Sequence, residues 1–182
     1  MAMLQIGDHP RTEFGPLQWH ALFFIRSPRC PFGKAALQDI FDSAHSLIRL
    51  GWSVMIISQT PSEILDCATN TVPGEIRLYA DPEGTIQRLF HIGQDKDLTC
   101  SVKGLFDRSL SLTWALKALT NGVRPLHGPA RQLGAEFLID GKGAISYARY
   151  SCAIWDRPHT HPLIRQAKEL RENLNHRASP VK

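Results

Sequence analysis

No stretch of the sequence approaches the roughly 20 consecutive apolar residues that a membrane helix needs. The first residues, MAMLQIGDHPRTEFG, carry charges and prolines where a secretory signal would be apolar. We therefore expect a soluble, cytoplasmic protein with no membrane partner. Cysteine is scarce and scattered. Cys30, Cys67, Cys100 and Cys152 are the four present, and none is joined to another as CxxC. That excludes a disulfide-stapled secreted scaffold and a paired zinc ribbon, and it suits a reducing compartment. Repeats and low-complexity segments are also missing. The net charge is +4, yet the Lys and Arg residues are dispersed, with no basic helix and no interleaved aromatic stripe. Nucleic acid is accordingly not expected as a partner.

What is present is periodicity, consistent with one domain over residues 1–182 whose ends, 1–16 and 176–182, are extended or frayed. The run WHALFFIR, residues 19–26, is largely apolar with aromatics, is bounded by Ser27-Pro28 and predicts a buried central strand. Over 31–50, Leu37, Ile40, Phe41, Ala44, Leu47 and Ile48 recur at helical spacing, with Pro31 suited to the first turn and Gly51 to the closing cap. SVMIIS, residues 53–58, predicts a second strand, completing a βαβ unit. A short helix over 61–70, a strand over 76–80 and a helix over 84–92 are expected next. Residues 93–107 are polar and irregular, and Leu112, Ala115, Leu116 and Leu119 form a helical face before Asn121-Gly122. AEFLID and ISYARY flank Gly141-Lys142-Gly143 as a hairpin. A final helix starts near His161 and carries Leu163, Ala167, Leu170 and Leu174 on one stripe. The order βαβ, inserted elements, ββα predicts an α/β protein of the thioredoxin-like fold, a central mixed β-sheet flanked by helices.

The chemistry concentrates at Cys30, in the turn between the first strand and the first long helix. Unpaired N–H groups and the positive end of the helix dipole stabilise a thiolate there, and Arg26, Arg29 and Lys34 add positive charge nearby in sequence. Cys67 has two readings, a core thiol or a resolving cysteine. Cys100 and Cys152 fall in less regular segments and carry no assigned role. His159 and His161 flank Thr160 not far from Cys152, but their spacing matches no ligand motif, so we expect no metal and no cofactor. Trp19, Trp52 and Trp114 are expected in the core, and Trp155 is a candidate cover for a pocket near the site.

The segment FFIRSPRCPFGKAAL resembles the active-site segment of peroxiredoxin-like proteins of the alkyl hydroperoxide reductase/thiol-specific antioxidant (AhpC/TSA) family. VMIISQTPSEI, LYADPEGTIQRLFHIG, RQLGAEFLIDGKGAISYARYS and DRPHTHPLI are similar to further landmarks of that family in the same order, so the likeness spans roughly residues 17–175. The resemblance implies a thioredoxin-like fold with Cys30 as the redox-active cysteine. It also implies that Ser27 holds the hydroxyl position of the motif PxxxTxxC, where it would hydrogen-bond the thiolate or the peroxide. Phe23 stands in place of the motif's proline. Gly33 replaces the second cysteine of Cys-Pro-x-Cys, which removes the local disulfide of a dithiol oxidoreductase. The family's arginine beside the hairpin strand is replaced by Gly134 and Ala135, leaving Arg131 as the nearby candidate. Candidate site residues are therefore Cys30 and Ser27, with Cys67 for resolution and Arg26, Arg29 and Arg131 for thiolate stabilisation. Expected partners are a peroxide or small organic substrate and an external thiol reductant of the glutathione or thioredoxin type, with a homodimer as the candidate assembly. Two other readings stay open: a thioredoxin-fold enzyme recruited to another reaction in specialised metabolism, and a noncatalytic redox sensor or binding module.

Overall fold

A computed structural model describes residues 18–29, 31–63, 65, 74–94, 132–153 and 156–178 of the protein. Strand β1 (Trp19–Ile25) lies in the middle of the sheet, buried at six of its seven positions. Both of its faces are covered, and that is why its sequence is apolar at every position but His20 instead of alternating. Helix α1 (Pro31–Arg49) carries the chain to β2 (Trp52–Ser58), which pairs parallel with β1 from Trp19↔Trp52 to Ile25↔Ser58. Strand β3 (Ile76–Ala80) adds parallel to β2, and α2 (Thr85–Leu89) follows it. The hairpin β4 (Ala135–Ile139) and β5 (Ile145–Tyr150) joins antiparallel to the other side of β1. Helix α3 (Thr160–Ala178) comes last. The sheet order is β3-β2-β1-β4-β5, a mixed five-stranded sheet.

Alternation along β1 divides the core between two layers. Ala21, Phe23 and Ile25 face α1 and α3 and pack with Ile40, Leu47 and Leu163. Leu22 and Phe24 face the other way, toward Met55, Phe137 and Phe90, whose ring centroid lies 4.9 Å from that of Phe137. The predicted stripe of α1 is buried at Leu37, Ile40, Ala44 and Leu47, while Phe41 and Ile48 pack at its margin. At the far end of α1, Gly51 takes φ 79° and donates its N–H to Ile48 O. Arg171 of α3 donates to the carbonyls of Leu50 (2.8 Å) and Gly51 (3.1 Å), satisfying acceptors that a helix end leaves open. Its guanidinium lies 5.0 Å from the Trp19 ring centroid, and Trp19 meets Trp52 edge to face.

Two features differ in extent from the sequence reading. The helix expected over 84–92 covers only Thr85–Leu89, because His91 adopts φ 54° and Ile92 N–H bonds back to Gln87 O, a left-handed helix closure. Of the stretch 61–70, only 61–63 and 65 are described, where Leu65 N–H donates to Pro61 O in a helical turn. Leu112, Ala115, Leu116, Leu119, Trp114 and Trp155, like most of the polar segment 93–107, lie outside the described residues. No helix among the described residues is long and apolar enough to cross a membrane.

A candidate active site at the carboxyl end of the central strand

Strand β1 ends at Ile25, and the chain turns through Arg26, Ser27, Pro28 and Arg29 before α1 begins at Pro31. Arg26 and Ser27 are buried, and Arg29 is exposed. The Arg29 N–H donates to Ser27 Oγ at 3.4 Å, a local turn that fixes the serine side chain. Position 30 itself, and with it Cys30, lies outside the described residues, as do Cys67, Cys100 and Arg131. The described candidates Arg26, Ser27 and Arg29 precede position 30 closely in the sequence.

Gly33 explains how the turn and helix fit together. A Cβ built at Gly33 would lie 2.2 Å from Ser27 O and 2.8 Å from Arg26 O, so the helix's first turn packs directly on the preceding backbone. Any side chain there, including the cysteine of Cys-Pro-x-Cys, is incompatible with this path. Gly134 plays a similar part across the sheet, where a Cβ would lie 3.0 Å from Phe24 O and 3.2 Å from Ser151 Oγ. The strands close up where the resemblance expects an arginine.

A narrow cleft of about 20 Å³ opens between the end of β1, the start of α1, the start of β4 and the segment after β5. Arg26, Phe32, Gly33, Glu136, Ser151 and Asp156 are among the residues that line it. This is the carboxyl end of β1, one of the three parallel strands, and open α/β sheets bind their ligands at such ends.

The electrostatics of the cleft come from a group that sequence reasoning missed. Glu136 projects from β4 on the α1 face and is only 2% exposed. Its Oε1 accepts from Arg149 Nη1 (2.6 Å) and from the His159 N–H (2.8 Å). The other arm of Arg149 reaches Asp156 Oδ1 at 2.6 Å, and Asp156 Oδ2 accepts the Cys152 N–H at 3.1 Å. Glu136 Oε2 has no hydrogen-bond partner and is inaccessible to solvent. Burial pushes the Glu136 carboxyl above its ordinary value, outweighing the pull of the His159 N–H and of Arg149. Burial opposes the charge on Arg149, but the carboxylates of Glu136 and Asp156 more than compensate and raise its pKa. Burial and the nearby Glu136 charge likewise raise Tyr147.

Arg157 continues the network by binding Asp39 of α1 with two nitrogens, so the 151–159 segment is tied to both helix and sheet. Cys152 is an exposed free thiol, with Sγ 3.6 Å from Asp156 Oδ2. His161 sits in the first turn of α3 and His159 just before it, as the sequence suggested. No trio of His, Cys, Asp or Glu placed to hold a metal occurs among the described residues.

Neither a scan against protein-family models nor a search of the curated proteins gives a match. Solved structures do match. The chain aligns with Mycobacterium tuberculosis AhpC at a TM-score of 0.58 and 10% identity, covering 94% of this chain and 96% of that one. It aligns with Enterococcus faecalis AhpC at 0.53 and 17% identity, covering 92% and 82%. A Xanthomonas campestris bacterioferritin comigratory protein, described through its alkyl peroxide reduction activity, gives 0.58 and 13% identity over 86% and 82%. The class that emerges is thioredoxin-like, as the element order predicted. Within that class the chain has the fold of the peroxiredoxins.

Proposed function

We propose that the protein is a thiol-dependent peroxidase in which Cys30 is the nucleophile. The observation that carries the reading is the cleft at the carboxyl end of β1, lined on one side of position 30 by Arg26 and on the other by Phe32 and Gly33. In the sequence, position 30 immediately precedes a helix of 19 residues, and a helix N-terminus favours a thiolate. The peroxiredoxin fold and the alkyl peroxide reduction attributed to one structural neighbour support the same reading.

In the reaction, the Cys30 thiolate attacks the terminal oxygen of the peroxide and becomes a sulfenic acid, while the O–O bond breaks and an alcohol or water leaves. Ser27 is the nearby hydroxyl for the thiolate or peroxide, and Arg26 and Arg29 supply positive charge. Arg131 keeps the same role as a candidate. Since Gly33 admits no side chain, the sulfenic acid is resolved elsewhere, by Cys67 or by an external thiol of the glutathione or thioredoxin type.

The test is peroxide consumption by the reduced protein with dithiothreitol, glutathione or a thioredoxin system as reductant, beside Cys30→Ser. Repeated turnover that disappears in Cys30→Ser is the expected result. One oxidation per chain without turnover under every reductant would instead make the protein a redox sensor. No Cys30-dependent consumption at all would direct attention to another reaction on the same scaffold.

A further inference from the structure

We propose that the protein binds a small organic polyanion, one carrying two or more phosphate or carboxylate groups, in a groove at the amino end of the parallel strands. The groove has a volume of about 480 Å³, within the roughly 300–1,000 Å³ of small-molecule sites. Trp19 and Trp52, the first residues of β1 and β2, line it with Ser53, while Arg77 of β3 and Arg171 of α3 supply its charge. The cleft at the carboxyl end of β1 lies at the other end of this seven-residue strand, about 20 Å away at roughly 3.3 Å per residue. The groove is therefore a separate site, and its assignment does not depend on the peroxidase reading.

Arg171 is held in place without being neutralised. Its Nε and Nη2 donate to the carbonyls of Leu50 and Gly51, and its guanidinium lies against the Trp19 ring, but no carboxylate of the described residues is within ion-pair range. A Cβ at Gly51 would stand 2.1 Å from Arg171 Nη2, so the glycine that closes α1 also leaves the space the guanidinium fills. Capping of α1 thus accounts for the position of Arg171. Arg77 has no such account: it is exposed, and its side chain makes no hydrogen bond or ion pair with another described residue. It alternates with Ile76 and Leu78, which pack in the layer of α1 and α3, so it belongs to the opposite face of the sheet. The two cations reach the groove from opposite sides.

None of the residues lining the groove is acidic. Like charges facing one groove repel each other, and an anion between them relieves the repulsion. The planar fork of a guanidinium matches the oxygens of a phosphate or a carboxylate, the chemistry these two ligand classes share. A single small anion engages one fork, whereas a molecule with two or more anionic groups engages both, which is why the ligand is a polyanion. Because Arg171 is fixed before binding, most of the cost of ordering side chains falls on Arg77 alone.

Pyrophosphate and citrate, a phosphate and a carboxylate probe, are titrated separately into the full chain by isothermal titration calorimetry at about 0.1 M salt, where exposed charges more than about 10 Å apart are screened from each other. Saturable one-to-one binding of at least one probe is expected, and the tighter of the two identifies the anionic group the groove takes. Arg77→Gln is expected to weaken that binding about tenfold or more, the worth of one charge-assisted hydrogen bond. Arg49→Gln, which removes an exposed charge at the end of α1 that does not line the groove, is expected to change it less than about twofold. Arg77→Lys keeps the charge without the planar fork and is expected to fall between them. Saturation by neither probe overturns the assignment. So does an affinity unchanged in Arg77→Gln, or an equal loss in Arg77→Gln and Arg49→Gln, the mark of a diffuse positive surface. Should Arg77→Gln fail to fold, Arg77→Lys carries the comparison, and binding no weaker than that of Arg49→Gln overturns the assignment.

Discussion

Replacing Gly33 by alanine adds one methyl group at the place where α1 meets the turn that precedes it. At an exposed helical position the change would stabilise by up to about 1 kcal/mol through helix propensity. Here the new carbon would stand 2.2 Å from Ser27 O, about 1.2 Å inside the 3.4 Å at which ordinary contact begins. The obstacle is backbone on both sides, so no side-chain rotation relieves it. Overpacking of this kind costs about 1–3 kcal/mol, and backbone contact puts Gly33→Ala at or above the upper half of that range. With the propensity gain subtracted, a net loss of about 2 kcal/mol is expected, which for a chain of this size lowers Tm by about 4–8 °C. Thermal unfolding followed by circular dichroism, with urea titration as a check on the slope, measures it. A Tm equal to or above that of the unmutated protein would refute the close approach and, with it, the reason offered for a glycine at the family's second cysteine position.

Other substitutions probe the rest of the architecture. Ile40→Ala, at a fully buried position between α1 and the sheet, should cost about 2–5 kcal/mol in urea unfolding, whereas a cost under about 1 kcal/mol would mean the helix packs loosely. Asp39→Asn removes one partner of a half-exposed ion pair with Arg157 and should change stability by less than about 1 kcal/mol, a loss well beyond that showing the pair to matter more than its exposure suggests. Arg149→Met strands Glu136 in the interior and should cost about 3–5 kcal/mol near neutral pH. The sign with pH follows from burial. The Glu136 carboxyl sits above its ordinary 4.5, so its stabilising contribution is complete below that value and is lost as pH rises through the folded-state pKa. Removing Arg149 raises that pKa further, so the deficit of Arg149→Met should grow with pH in urea titrations. A deficit independent of pH would show that Glu136 does not carry it.

Much of the fold could be read from patterns of spacing. The apolar run of β1, the stripe of α1 with Pro31 and Gly51 at its limits, and the Gly141-Lys142-Gly143 turn all reflect local rules that burial reinforces. The turn is fixed by Asp140, whose Oδ1 accepts the N–H groups of Lys142 and Ala144 at 2.9 Å. The buried acid was harder to see. Pairing starts at Ile139↔Ile145 beside the turn, and continuing that register regularly would set Glu136 opposite Ala148 and send Arg149 to the other face. An irregularity between Leu138 and Ile139 shifts the register and brings Glu136 opposite Arg149. A charged residue inside AEFLID, with an arginine inside the partner strand, was the available signal. Its meaning depended on a bulge that no periodicity announces. The turn that leads from β1 to α1 was legible for the opposite reason, since a strand end, a proline and a helix start follow one another within a few residues. Ser27 was legible only through the family resemblance, and its buried turn geometry comes from the close approach at Gly33.

The proposed activity requires that the approach to α1 activate Cys30 toward peroxides. Stopped-flow mixing of the reduced protein with hydrogen peroxide, followed by tryptophan fluorescence and by intact mass, tests it most directly beside Cys30→Ser. The expected result is oxidation far faster than that of free cysteine at the same pH, a gain of one oxygen or formation of a disulfide, and loss of both in Cys30→Ser. Oxidation no faster than free cysteine, or unchanged in Cys30→Ser, would contradict it.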